Sequence, residues 1–130
     1  MKRLTVKMVD QLSFFLAQEF MAYDEPIPEF FTRFPNILES CLASPFQWFS
    51  GRPLYRGFVS KASVLFYLML NNHPFQNGNT RLAITSLLVF LRLNEKWMNV
   101  NLNEFYDLTV RVSASPPSER EAVLESIKKF

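Results

Sequence analysis

Residues 59–93 read VSKASVLFYLMLNNHPFQNGNTRLAITSLLVFLRL. Two apolar stretches flank a polar loop, and that arrangement decides the fold. The first runs from Val59 to about Asn71 and carries Val64, Leu65, Phe66, Leu68, Met69 and Leu70. The second starts near Gly78 or Asn79, runs to about Leu93, and carries Leu82, Ile84, Leu87, Leu88, Val89, Phe90 and Leu91. Both have helical length and are apolar on nearly every face, which suits the centre of a fold rather than its rim. The short connection predicts that they pack antiparallel.

Towards the N-terminus, residues 44–58 interleave Pro45, Gly51, Pro53 and Gly57 with aromatic side chains, which predicts an ordered, irregular flap. Pro35-Asn36 opens a short helix through Ala43. Earlier still, Thr5 has the side chain of an N-cap, and Val9, Leu12, Phe15 or Leu16, and Phe20 recur at helical spacing. Pro26 and Pro28 break that pattern, with room for a short helical piece around Glu29 to Phe34. Beyond the central pair, 99–103 reads as a turn, followed by a helix from Leu102 or Asn103 to about Ser113. Ser118 with Glu121 forms a capping box for a last helix. There is no internal repeat and no strand of convincing length. The expectation is one all-α domain over residues 1–130.

The bulk properties agree with a packed domain. The chain has 130 residues, 48% of them hydrophobic, with 14 Phe to fill gaps between helices. A net charge of +2 gives neither the footprint of a nucleic-acid binder nor enough excess for a membrane surface. The single cysteine, Cys41, cannot form an intrachain disulfide and lies in a helical stretch where a thiol is ordinarily inert. The N-terminus lacks the apolar core of a signal peptide. The run Leu82–Leu91, interrupted by Thr85 and Ser86, is too short to span a bilayer. These features predict a cytoplasmic protein.

The chemistry is concentrated between the central helices, in His73-Pro74-Phe75-Gln76-Asn77-Gly78-Asn79-Thr80-Arg81. A loop feeding a helix N-terminus presents unpaired N–H groups and the positive end of the macrodipole, a natural seat for an anion. Gly78 lets the backbone approach a phosphate closely, and Arg81 can clamp phosphate oxygens in bidentate fashion. His73, the only histidine, can exchange a proton near neutral pH. Each feature also has an ordinary structural reading: a histidine at a helix end, an Asn-Gly turn, an arginine paired on the surface. Together they describe a base beside a phosphate cradle, the minimum needed to push a hydroxyl onto phosphorus.

This nine-residue segment resembles the Fic/Doc signature, His-x-Phe-x-(Asp/Glu/Asn)-(Gly/Ala)-Asn-(Gly/Lys)-Arg, and the flanks resemble death-on-curing proteins. The flanking likeness lies in Leu38-Glu39-Ser40, Gly51-Arg52-Pro53-Leu54-Tyr55 and Lys61-Ala62 before the motif. After it come Leu82-Ala83 and Phe90-Leu91-Arg92-Leu93-Asn94. It covers residues 36–100 well and Leu4-Thr5 more loosely. The resemblance implies a compact helical bundle built on the two central helices, with 73–81 as motif loop.

The same resemblance implies roles for individual residues. His73 would be the general base, Phe75 the anchor of the loop, and Asn77 the magnesium-contacting position. Gly78, Asn79, Thr80 and Arg81 would hold the phosphates. Trp48, Phe49, Gly51, Arg52, Leu54 and Tyr55 would form a flap aligning the target. Three departures stand out. Asn77 replaces the acidic residue of Fic enzymes, Thr80 replaces lysine or glycine, and Ile84 stands where adenylylating members carry a second arginine. These favour the death-on-curing subgroup.

By that resemblance the chain is expected to use ATP and Mg²⁺ to phosphorylate a Ser or Thr hydroxyl of a host protein, with a translation elongation factor the leading target. It would act as a toxin held by a small antitoxin in trans, since no Ser/Thr-x-x-x-Glu-Gly/Asn inhibitory string is present. AMP transfer, or a degenerate site that only binds nucleotide or antitoxin, are the alternatives.

Overall fold

A computed structural model describes residues 2–15, 34–72, 74, 79–97 and 102–115. The predicted piece at 29–33, the break at 24–28, the turn at 99–101 and the last helix from Ser118 lie outside these residues.

Thr5 is extended, and its hydroxyl accepts the Met8 N–H at 3.2 Å, capping helix α1 (Val6–Met8) as its residue type predicts. The chain then widens into a π-helix, Val9–Phe14, where the periodicity predicts α-helix. In a π-helix the bonding runs i→i+5, so a residue three or four positions on is rotated off the face it would share in an α-helix. Val9 is buried, whereas Leu12 and Phe15, expected beside it, are about half exposed at 49% and 53%.

Helix α2 (Pro35–Ala43) begins with its proline at the first helical position, where the missing N–H costs no bond. It buries Leu38, Cys41 and Leu42. A single 3₁₀ turn, Ser44–Phe46, follows, with Pro45 buried.

The flap segment is a two-stranded antiparallel hairpin, β1 (Trp48–Phe49) and β2 (Arg52–Pro53), pairing Trp48 with Pro53 and Phe49 with Arg52. Ser50 and Gly51 both adopt positive φ, 51° and 77°, the type I′ turn whose twist matches a two-residue hairpin. The Leu54 N–H closes the foot of the ribbon on the Gln47 carbonyl at 2.8 Å.

Helix α3 (Gly57–Asn71) and helix α4 (Asn79–Leu93) are the antiparallel central pair. Every residue from Ala62 to Leu70 is buried, so α3 is enclosed on all faces along its second half. It packs on α2, the 3₁₀ turn, α4 and helix α5 (Leu102–Ala114), while α4 also packs on the π-helix. Phe90 of α4, fully buried, stacks on Phe58 at 5.1 Å and meets Phe46 edge-on at 6.1 Å. On α5, Phe105, Leu108, Thr109 and Val112 form the one face turned to the core. Phe105 stacks on Phe66 of α3 at 5.5 Å.

Two buried hydroxyls return to their own helices: Ser63 donates to the Val59 carbonyl at 2.7 Å and Thr109 to that of Phe105 at 2.9 Å. Among the described residues no helix is long and apolar enough to cross a membrane.

Candidate functional site

The motif segment spans the junction between the central helices. Helix α3 ends at Asn71, capped by Asn72, whose N–H still bonds the Leu68 carbonyl at 2.9 Å, and α4 begins at Asn79. Between them, Pro74 is buried and its carbonyl accepts the Phe34 N–H at 2.8 Å. That bond ties the loop to the residue just before α2, so the entry to the motif is fixed by an element distant in sequence. His73, Phe75, Gln76, Asn77 and Gly78 lie outside the described residues.

Of the residues expected to hold phosphates, the structure describes those at the start of α4. Asn79 is half-buried at the first helical position, Thr80 is exposed beside it, and Arg81 follows on the same turn. No acidic side chain stands in that turn to neutralise the positive end of the helix dipole.

The acid deficit extends well past one turn. From Ser40 to Asn94 the chain carries no Asp or Glu at all. Among the described residues no group of three or more His, Cys, Asp or Glu could hold a metal. Magnesium takes oxygen ligands, commonly one or two carboxylates together with substrate phosphates.

The hairpin residues are mostly turned to solvent: Trp48 is 66% exposed, Phe49 73% and Leu54 51%, with Arg52 also exposed and Tyr55 half-buried. Cross-strand pairing places Phe49 and Arg52 on one face of the ribbon and Trp48 and Pro53 on the other. The foot of the hairpin rests at the start of α3, where Phe46 and Phe58 contact Phe90. From Asn79 to Phe90, helix α4 rises about 16 Å at 1.5 Å per residue. The foot of the ribbon and the motif end of α4 thus stand at opposite ends of the central pair.

The sequence model of the Fic/DOC family matches residues 4–91. The chain belongs to the Fic/DOC family. The matched stretch runs from the N-terminal segment through α4 and contains the whole of the motif, while α5 lies beyond it. Members of the Fic/DOC family transfer nucleotidyl or phosphoryl groups. Neither a curated protein nor a solved structure matches the chain.

One further interaction, at the foot of the hairpin, joins segments far apart in the sequence. Arg3 places its guanidinium carbon 4.6 Å from the centroid of the Phe46 ring, and Lys61 Nζ lies 6.0 Å from the same centroid. Lys61 also donates to the Tyr55 carbonyl, bracing the foot of the hairpin. The 42 residues between Arg3 and Phe46 leave no local pattern from which this contact could be read.

Proposed function

We propose that this Fic/DOC protein is a toxin that transfers the γ-phosphoryl group of ATP to a Ser or Thr hydroxyl of a host protein. The observation that carries the reading is the family signature at 73–81, leading into a helix N-terminus with no carboxylate in its first turn. In the proposed step His73 takes the proton of the target hydroxyl, and its oxygen forms a bond to the γ-phosphorus. The bond from that phosphorus to the β–γ bridging oxygen breaks, and ADP leaves. Gly78, Asn79, Thr80 and Arg81 hold the phosphates through backbone N–H groups and the guanidinium. The Asn77 amide would contact Mg²⁺, which when bound neutralises phosphate charge. Ile84, standing where adenylylating members carry a second arginine, favours phosphoryl over AMP transfer.

A small antitoxin acting in trans would supply the restraint, and a translation elongation factor is the leading target. The test is label transfer from ATP to the proteins of a host lysate, with the label on the γ- or the α-phosphate and His73→Ala beside the wild type. A His73-dependent band from the γ label alone is expected. A band from the α label would reassign the chain to AMP transfer. No band from either would favour a module that binds nucleotide or antitoxin without transfer, a reading that Asn77 and Thr80 motivate. Expression of the wild type alone should arrest growth, and His73→Ala should relieve the arrest.

A further inference from the structure

The half of the chain that builds the central pair and the hairpin is of one sign. Between Ser40 and Asn94 its charged side chains are Arg52, Arg56, Lys61, Arg81 and Arg92, and the acidic residues all lie at 1–39 or 95–130. The fold brings Lys2 and Arg3 to this half, Lys2 through its backbone bonds to Asn94, the residue before Glu95. Arg3 lies over Phe46, so a guanidinium and an ammonium share a single aromatic ring at 4.6 Å and 6.0 Å. Arg52 on β2 and Arg56 just before α3 are exposed on the adjoining segment. Among the described residues no carboxylate is paired with Arg3, Arg52, Arg56 or Lys61.

Two cations packed against one ring are attracted to its face and repel each other, and a shared anion relieves that repulsion. A guanidinium held near a ring can still turn N–H groups to a carboxylate and take it in bidentate fashion. Beside this pair the two-stranded ribbon ends in strands whose outer edges have no partner among the described residues. On β1 the edge offers the Trp48 N–H and C=O to an extended peptide, whereas Pro53 on β2 has no N–H to give. In an extended peptide, side chains on alternate residues point to one face.

We propose that the foot of the hairpin, centred on Arg3, Phe46 and Lys61 with Arg52 and Arg56 beside it, is a docking site for an extended acidic segment of a partner protein. It is an exosite, set at the end of the central helices away from the motif loop, and binding there does not require the transfer step. A polypeptide fits better than a nucleic acid. The cations are few and clustered at one foot instead of tracking along a groove, and the chain as a whole carries only +2.

The test is fluorescence anisotropy of a labelled peptide of alternating Glu and Thr, titrated with the full chain. A Lys/Thr peptide, an oligo-dT of equal length and unlabelled inorganic phosphate run alongside. The acidic peptide should bind, more weakly as salt rises, and Arg3→Glu should weaken it by about tenfold. Arg111→Glu, which changes the net charge equally at an exposed position of α5, should leave it unchanged. The same loss from both variants, no loss from Arg3→Glu, tighter binding of oligo-dT, or displacement by millimolar phosphate would each overturn the proposal. Because His73→Ala should bind the peptide as the wild type does, failure here leaves the transfer reading intact, and failure of transfer leaves this one intact.

Discussion

Cys41 shows how position decides the chemistry of one side chain. It is fully buried on α2, and burial pushes its thiol from an ordinary value of 9.0 up to about 12, against a smaller opposing pull from a backbone hydrogen bond. A thiolate is the reactive form, so Cys41 should resist alkylation at pH 8 in the folded chain and react once the chain is unfolded. The same shift has a signed consequence for stability. Below about pH 9 the thiol is protonated in both states and contributes no pH dependence. Between about pH 9 and 12 the unfolded chain releases a proton that the folded chain retains, so stability falls as pH rises. The slope is bounded by about 1.4 kcal/mol per pH unit. Urea unfolding of wild type and Cys41→Ala at pH 8 and pH 10 should show the steeper loss in the wild type. Equal slopes would mean that the thiol reaches water in the folded state. Ser86 is a different case at this scale: its buried Oγ has no hydrogen-bond partner among the described residues, and nothing in the structure explains why a hydroxyl stands there.

Among the elements, the end of α4 shows a backbone conformation at odds with its side chain. The Lys96 N–H bonds the Leu91 carbonyl at 2.8 Å and the Glu95 N–H bonds that of Arg92 at 3.1 Å, a Schellman closure with Glu95 at φ 59°. That left-handed position favours glycine, and Glu95 is exposed. Glu95→Gly should therefore stabilise the chain by about 1 kcal/mol in urea unfolding, and a loss of stability would show that the carboxylate makes a compensating contact. Next to it the Asn94 amide accepts the Lys2 N–H at 2.7 Å and donates to the Lys2 carbonyl at 3.0 Å, clipping the N-terminal segment to α4.

Sequence legibility divides along the same lines. Pro35 and Ala43 bound α2 as read, and the central helices fall at Gly57–Asn71 and Asn79–Leu93, because apolar runs with turn residues at both ends leave little choice. The π-helix was hidden because apolar spacing at 9, 12 and 15 is the spacing of an α-helix. Ser50-Gly51 lacks the Asn-Gly signature of a tight hairpin, so the ribbon read only as an irregular flap. At the site, the motif was legible because its residues are contiguous. The Arg3–Phe46–Lys61 cluster was not, since it exists only after the chain has folded.

On the scale of the whole molecule, the question is whether α5, which lies beyond the family match, belongs to the same cooperative unit as the site. The packing says that it does. Phe105, Leu108 and Val112 join the buried cluster that runs from Leu4 and Val9 through α2, α3 and α4. The stacking of Phe105 on Phe66 connects α5 to the most enclosed stretch of α3, and the C-terminal end of that helix feeds the motif loop. Removing the Phe105 ring leaves a cavity between these two helices, at a cost of about 3 kcal/mol or more. A domain of this size has about 5–15 kcal/mol in total, so the loss is a large fraction of it. Phe105→Ala should shift the entire urea transition to lower concentration while keeping it single, whether followed by far-ultraviolet circular dichroism or by tryptophan fluorescence. If α5 were an appendage, an early minor step would separate from an unshifted main one. A single shifted transition would mean that the motif loop is held in place by residues outside the stretch that defines the family, so that truncating the chain after α4 would remove a support of the site.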